Sequence, residues 1–226
     1  MSSYQTREEL IASITNDMAP VSRVQPRHGA GLIAFATIVA AVGSIAIFEF
    51  WYGMLNGEAS AFFWISNGLL LLVGAASTSA LVAGALPRVG SRGSAPLWSA
   101  AMLAVLPVVA LIMIASLEMG TPSATADHPS ILDDAATWYW QCGVYAFGAG
   151  LLVAIAAVLF LRRGAPVSLE RSGWLTGLAA GSLGAVAYGI TCPLDTIAHV
   201  AIWHVAVPVT AWAVVGRLVV PRLIRW

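Results

Sequence analysis

Lysine is absent from this chain, and charge of either sign is scarce. Eleven arginines and eleven acids make up only 10% of the 226 residues and cancel to no net charge, against 59% apolar content and a mean hydropathy of +0.82. Soluble domains of this size carry about a quarter of their residues charged, so a soluble globular class is excluded. Strand-like alternation in runs of about ten residues is also missing, which excludes a β-barrel. Cysteine is down to two, with no CxxC pair, which counts against a thiol oxidase. No nucleophile stands in register with a matching base, which counts against a hydrolase, and no enzyme is expected. The first 28 residues are polar and carry acids rather than a short basic stretch leading into an apolar core. No cleavable secretory signal is therefore expected.

What the chain does have is six apolar stretches, near 30–48, 61–86, 97–117, 143–161, 174–190 and 198–216. Each is long enough to cross roughly 30 Å of hydrocarbon at about 1.5 Å per residue. The expected fold is all-α, an integral-membrane bundle of six helices over 29–226 preceded by a polar segment, 1–28. Orientation follows from the arginines, because short loops rich in positive charge stay on the cytoplasmic side. Arg7, Arg23 and Arg27 precede the first stretch, Arg88 and Arg92 join the second to the third, Arg162, Arg163 and Arg171 join the fourth to the fifth, and Arg217, Arg222 and Arg225 close the chain. All lie inside if both termini are cytoplasmic, as in a multi-pass protein of the bacterial inner membrane. The opposite loops carry Glu49, Glu58, Glu118, Asp127, Asp133, Asp134 and Asp195 and no arginine. No charged residue falls near the centre of a stretch, which leaves the ion relay of a transporter without an obvious candidate.

The polar segment reads as one short amphipathic helix, with Thr6 as N-cap, Glu9 completing a capping box and Pro20 as the stop. Leu10, Ile11, Ile14 and Met18 then share a face. That stripe either packs on the bundle or the lipid surface, or docks in a groove of a soluble partner. The polar face, with Glu8 and Asp17, has few basic residues, which disfavours an anionic lipid surface.

Cys142 lies 20 residues before Arg162, and Cys192 lies 21 residues after Arg171. Two antiparallel helices rising from one cytoplasmic loop therefore carry both thiols about 30 Å up, to the same depth. Gly173, Gly177 and Gly181 form a small-residue face on the fifth helix, and the short loop makes the fourth helix its expected neighbour. The sulfurs then come within disulfide or shared-metal range. Paired cysteines in an oxidising exterior are commonly bonded, catalytic or sensing, yet Cys in a membrane helix also serves as a small apolar residue, and a disulfide as a plain staple. Asp195, His199, His204 and, in the long outer loop, His128 are the nearby groups that could assist a soft or borderline ion such as Cu or Zn. Their spacing matches no recognised tight metal motif, and either helical histidine alone reads equally as a hydrogen-bonded interhelical residue.

Three stretches carry a family resemblance. ELIASITNDMAPV followed by Arg23 and Pro26, the pair Cys142 and Cys192, and the ending CPLDTIAHVAIWHVAVPVTAWAVVGRLVVPRLIRW together resemble the NrsF family of membrane-bound anti-sigma factors. Leu10, Ile11, Asp17, Pro20 and Val21 match the family's first motif. Cys192, Pro193, Asp195, Trp203, His204, Arg222, Leu223, Arg225 and Trp226 match its last. Glu9 stands where Asp is usual and Ile14 where Leu is usual. The resemblance implies a protein that holds an extracytoplasmic-function sigma factor at the inner membrane and releases it when Cys142 and Cys192 meet heavy metal or oxidant. No direct contact with nucleic acid and no obligatory cofactor are expected, and the donor set at the cysteines would suit a transient Cu- or Zn-class ion. The partner-binding residues are then Leu10, Ile11, Ile14, Asp17, Met18 and Pro20. The alternative from another class is a small redox- or metal-handling membrane protein or transporter that uses the same cysteines. A structural bundle with a disulfide staple is the third reading.

Overall fold

Each apolar stretch becomes a helix in the computed structural model, which describes residues 6–16, 25–86, 94–120 and 140–225. The helices are α1 (Arg7–Asn16), α2 (Pro26–Phe48), α3 (Ala61–Gly84), α4 (Ala95–Gly120), α5 (Trp140–Leu161), α6 (Leu169–Gly189) and α7 (Ile197–Leu223). No strand occurs among the described residues. Local chemistry sets several of the starts. Thr6 and Glu9 exchange backbone-to-side-chain bonds of 3.0 and 3.4 Å at the head of α1, the reciprocal pattern of a capping box. Pro26 opens α2, where its missing N–H costs nothing. The Ser60 and Ser168 hydroxyls accept from the N–H groups of Phe63 and Arg171 to cap α3 and α6. Helices α2, α5, α6 and α7 overrun the apolar stretches by several residues, because caps and exposed arginines let the hydrogen-bonded helix continue beyond its apolar part.

Five helices, α2, α3, α4, α5 and α7, are long and apolar enough to cross a membrane. Their outward side chains, among them Phe35, Ile38, Leu72, Val105, Ile155 and Leu218, are exposed, giving an apolar outer surface compatible with a bilayer. Helix α6 is different. Its sequence LERSGWLTGLAAGSLGAVAYG is dominated by small residues, and most of them are buried. It lies among α2, α3, α5 and α7, so it meets other helices instead of the surroundings and has no need of bulky aliphatic side chains.

The small residues of α6 decide the packing. The face of Gly173, Gly177 and Gly181 meets α7, which corrects the expectation that the fourth stretch, α5, would lie on it. A Cβ on Gly181 would stand 2.8 Å from the Pro208 carbonyl oxygen, and one on Gly177 would run into that of Trp212. The short α5–α6 link does keep those two helices adjacent. Their closest approach is farther toward the C-terminal end of α6, where a Cβ on Gly184 would lie 2.5 Å from the Cα of Gly150 and 2.9 Å from the Ala146 carbonyl oxygen. The Trp212 indole N–H closes the triangle by donating to the Phe147 carbonyl at 2.9 Å. At the N-terminal end of α6, an exposed Glu170–Arg217 pair at 3.2 Å adds little, since such pairs contribute about 0–1 kcal/mol.

Gly29, in the first turn of α2, sits against the Phe160 ring at the far end of α5. Phe160 is about 27 Å along α5 from Cys142 at the helical rise, so the chain leads from α1 into the end of the bundle opposite the cysteines. None of α1 is buried, and its apolar face is open, with Leu10, Ile11 and Ile14 exposed by 48%, 55% and 56%. Asp17, Met18 and Pro20 lie outside the described residues.

Because the α6–α7 contact is backbone to backbone, Gly177→Leu should lower stability by at least the roughly 1–3 kcal/mol typical of overpacking. Thermal unfolding of the detergent-solubilised protein measures this. An unchanged midpoint would show that close approach is not what joins these helices.

Candidate functional site

Cys142 stands in the first turn of α5, and Cys192 follows the end of α6 in a tight turn where its N–H bonds the Gly189 carbonyl at 3.3 Å. The chain then crosses to α3. The Asp195 carboxylate accepts from the Ser60 hydroxyl at 2.7 Å and from the Ser60 N–H, so it braces the α6–α7 link on the cap of α3. Thr196 caps α7 by accepting from the His199 N–H at 3.4 Å. His199 ends the first turn, and from Val200 to Ala206 the helix widens into a π-helical segment. Pro208 closely follows the widened segment. It offers no N–H to the His204 carbonyl four residues back and its ring would clash with that oxygen in a regular α-helix, and a turn of i→i+5 bonds relieves the conflict.

The result is a buried cluster at one end of the bundle. The Cys142 and Cys192 sulfurs are 3.9 Å apart, and the Cys192 sulfur is 3.6 Å from His199 Nε2. With His204 included, one ligand atom from each of the four residues lies within 4.8 Å of every other, and all four residues are buried. A sulfur separation of 3.9 Å is far from the roughly 2.05 Å of a disulfide, and both cysteines are free thiols. Tyr188 closes one side. Its hydroxyl donates to the Cys142 sulfur at 3.4 Å, and its ring stacks on His204 with centroids 5.6 Å apart.

The structure thus brings together Cys142, Cys192, His199 and His204 out of the residues that the sequence singled out. It places Asp195 elsewhere, against Ser60, while His128 lies outside the described residues. Tyr188 and Ser60 were not foreseen. A tyrosine near the end of an apolar helix is indistinguishable in sequence from one at a membrane interface, and nothing local links Ser60 to a carboxylate 135 positions away.

The family model described as NrsF, negative regulator of sigma F, matches residues 14–226 of this chain. The chain belongs to the NrsF family. The match begins inside α1, at Ile14, and runs through the whole helical bundle. No curated protein and no solved structure matches the chain. A negative regulator of a sigma factor is suited to act by binding, and the four-residue cluster offers donor atoms that could hold an ion.

Two thiols this close, and on different elements, should oxidise within one chain. A mild oxidant is expected to reduce the labelled thiols of the unfolded chain from two to none, with no dimer on a non-reducing gel. Persistent labelling of both would mean that the sulfurs do not meet.

Proposed function

We propose that this protein is a membrane-bound anti-sigma factor that sequesters an extracytoplasmic-function sigma factor in the cytoplasm and releases it when heavy metal or oxidant acts on Cys142 and Cys192. In this reading α6 joins the five apolar helices as a sixth span, both termini are cytoplasmic, and the cluster faces the periplasm across the inner membrane. The arginine distribution supports that orientation. The observation that carries the reading is the separation of two features. An uncovered apolar helix face precedes one end of the bundle, while a buried thiol–imidazole cluster closes the other.

Leu10, Ile11 and Ile14 on α1 supply anchors at the helical spacing by which grooves of soluble partners take up a helix, and Met18 follows four residues on in the sequence. Asp17 and Pro20 continue the same segment. Shifting a held partner from about 1:99 free to 99:1 requires the signal to favour the released arrangement by roughly 5.5 kcal/mol. One disulfide or one tight metal site supplies energy of that order. Helices α5, α6 and α7 all contribute to or flank the cluster and run to the arginine end, so a change in their packing reaches the cytoplasmic face.

Pull-down of the detergent-solubilised full chain and of a version lacking residues 1–22 tests the reading. A sigma factor recovered with the first and lost with the second is expected. Leu10→Asp with Ile14→Asp should free the partner without harming membrane insertion, and retained binding would move the docking surface to the inner loops. Cys142→Ser or Cys192→Ser should leave basal holding intact and blunt the response to metal or peroxide. An undiminished response would remove the cysteines from sensing.

A further inference from the structure

The geometry points to a closed, four-ligand Cys2His2 site for a divalent, tetrahedral ion of the zinc class, formed by Cys142, Cys192, His199 and His204. This deepens the proposed function by naming what its sensing cluster binds. That the ion acts as a signal rests on that reading; the site itself rests on geometry.

Three observations carry it. Spacing is the first. An ion with bonds of about 2.3 Å to sulfur and 2.0–2.1 Å to nitrogen holds two sulfurs about 3.8 Å apart, and a sulfur and a nitrogen about 3.6 Å apart, when its geometry is tetrahedral. The cluster has 3.9 Å between sulfurs and 3.6 Å from the Cys192 sulfur to His199 Nε2. Two of the six edges already have the lengths that a tetrahedral zinc-class ion prefers, and the remaining ligand atoms lie within 4.8 Å of one another.

The second is how the imidazoles come to face one centre. Residues five apart point about 140° away from each other on an α-helix of 3.6 residues per turn, which would send one of the two histidines out of the bundle. Five residues make about one turn in the wider i→i+5 helix. The π-helical Val200–Ala206 segment therefore turns His204 back under His199, leaving their ring centroids 5.1 Å apart. His204 is 3% exposed, and its Nε2 has no hydrogen-bond partner among the described residues. A buried polar nitrogen without a partner is costly, and coordination satisfies it.

The third is charge. Two thiolates and two neutral imidazoles carry two negative charges, which a divalent ion cancels; a monovalent copper ion would leave one charge buried at the mouth of an apolar bundle. Uncompensated charge there is penalised, so the site favours the divalent ion. On binding, each thiol gives its proton to water and each sulfur donates an electron pair to the ion. The ligands come from α5, the α6–α7 link and α7, so a bound ion fastens three elements at one point.

The test is a titration of the reduced, metal-stripped full-length protein in detergent micelles with Co2+, a spectroscopic stand-in for zinc. The expected result is a single ion per chain, with a near-ultraviolet thiolate-to-cobalt band and visible bands of tetrahedral intensity, both erased by equimolar Zn2+. Cys192→Ser and His204→Ala should each weaken binding by at least the roughly 10–100-fold that loss of even an outer partner of a ligand costs. His28→Ala, in the first turn of α2, should leave the titration unchanged. A native chain that takes up no Co2+, or shows only the pale bands of a six-coordinate ion, overturns the site whatever the variants do, as does a titration that depends on His28. Sigma-factor capture in the same micelles separates the two readings. Tetrahedral cobalt without a captured sigma factor leaves the site standing and removes the anti-sigma reading, and capture without the cobalt bands does the reverse.

Discussion

The close approach of backbones along α6 is the constraint on which the rest of this structure depends. In the membrane bundle proposed above, packing apolar helices together would give little hydrophobic gain over lipid, so association would rest on van der Waals contact and interhelical hydrogen bonds. Glycine at 177, 181 and 184 lets α7 and α5 come to backbone distance of α6. A Cβ at any of these positions would fall within 3.0 Å of neighbouring backbone atoms, so the helices would have to move apart. The cluster is a product of that fit. Cys142 belongs to α5, His199 and His204 to α7, and Cys192 to the turn leaving α6, so thiols and imidazoles meet only because three helices are pressed together.

That dependence works in both directions. A change that pulls the two sulfurs from 3.9 Å to bonding distance, or that draws four side chains onto one ion, acts on the helices carrying them. Tightly packed interiors pass such displacements on instead of absorbing them locally. The brace between Asp195 and Ser60 extends the linkage to α3, and the pair formed by Trp212 and Phe147 extends it along α5 and α7. In the membrane-bound regulator proposed here, the route from one face to the other is therefore the bundle itself, with no separate lever.

Much of this was legible in the sequence because a helix converts residue number into height. The apolar stretches gave the helices, the arginines gave their grouping at one end, and 20- and 21-residue separations from Arg162 and Arg171 put the two cysteines at one level. Rotation about the helix axis was much harder to read. Which neighbour meets Gly173, Gly177 and Gly181 depends on crossing geometry, and the short loop misleadingly favoured α5. His199 and His204 both stand out as groups that could assist an ion, but their convergence on one centre was not legible, because five positions do not share an α-helical face. Only the π-helical segment brings them together, and its one trace in the sequence is Pro208, which reads equally well as an ordinary kink. Asp195 was grouped with the cysteines by proximity in the chain, whereas the fold turns it toward Ser60.

Helix α6, rich in glycine, alanine and hydroxyl-bearing residues, has a consequence for biogenesis. A segment of this composition gains little on leaving a translocation channel alone, since insertion is governed chiefly by large aliphatic and aromatic side chains. In the membrane bundle proposed above, its place would be tied to its companions. A short turn joins it to α5, and α7 covers its glycine face, so both neighbours shield it. The centre of the bundle is thus the element whose place is settled by assembly, and a chain in which α7 failed to pack would leave that element uncovered.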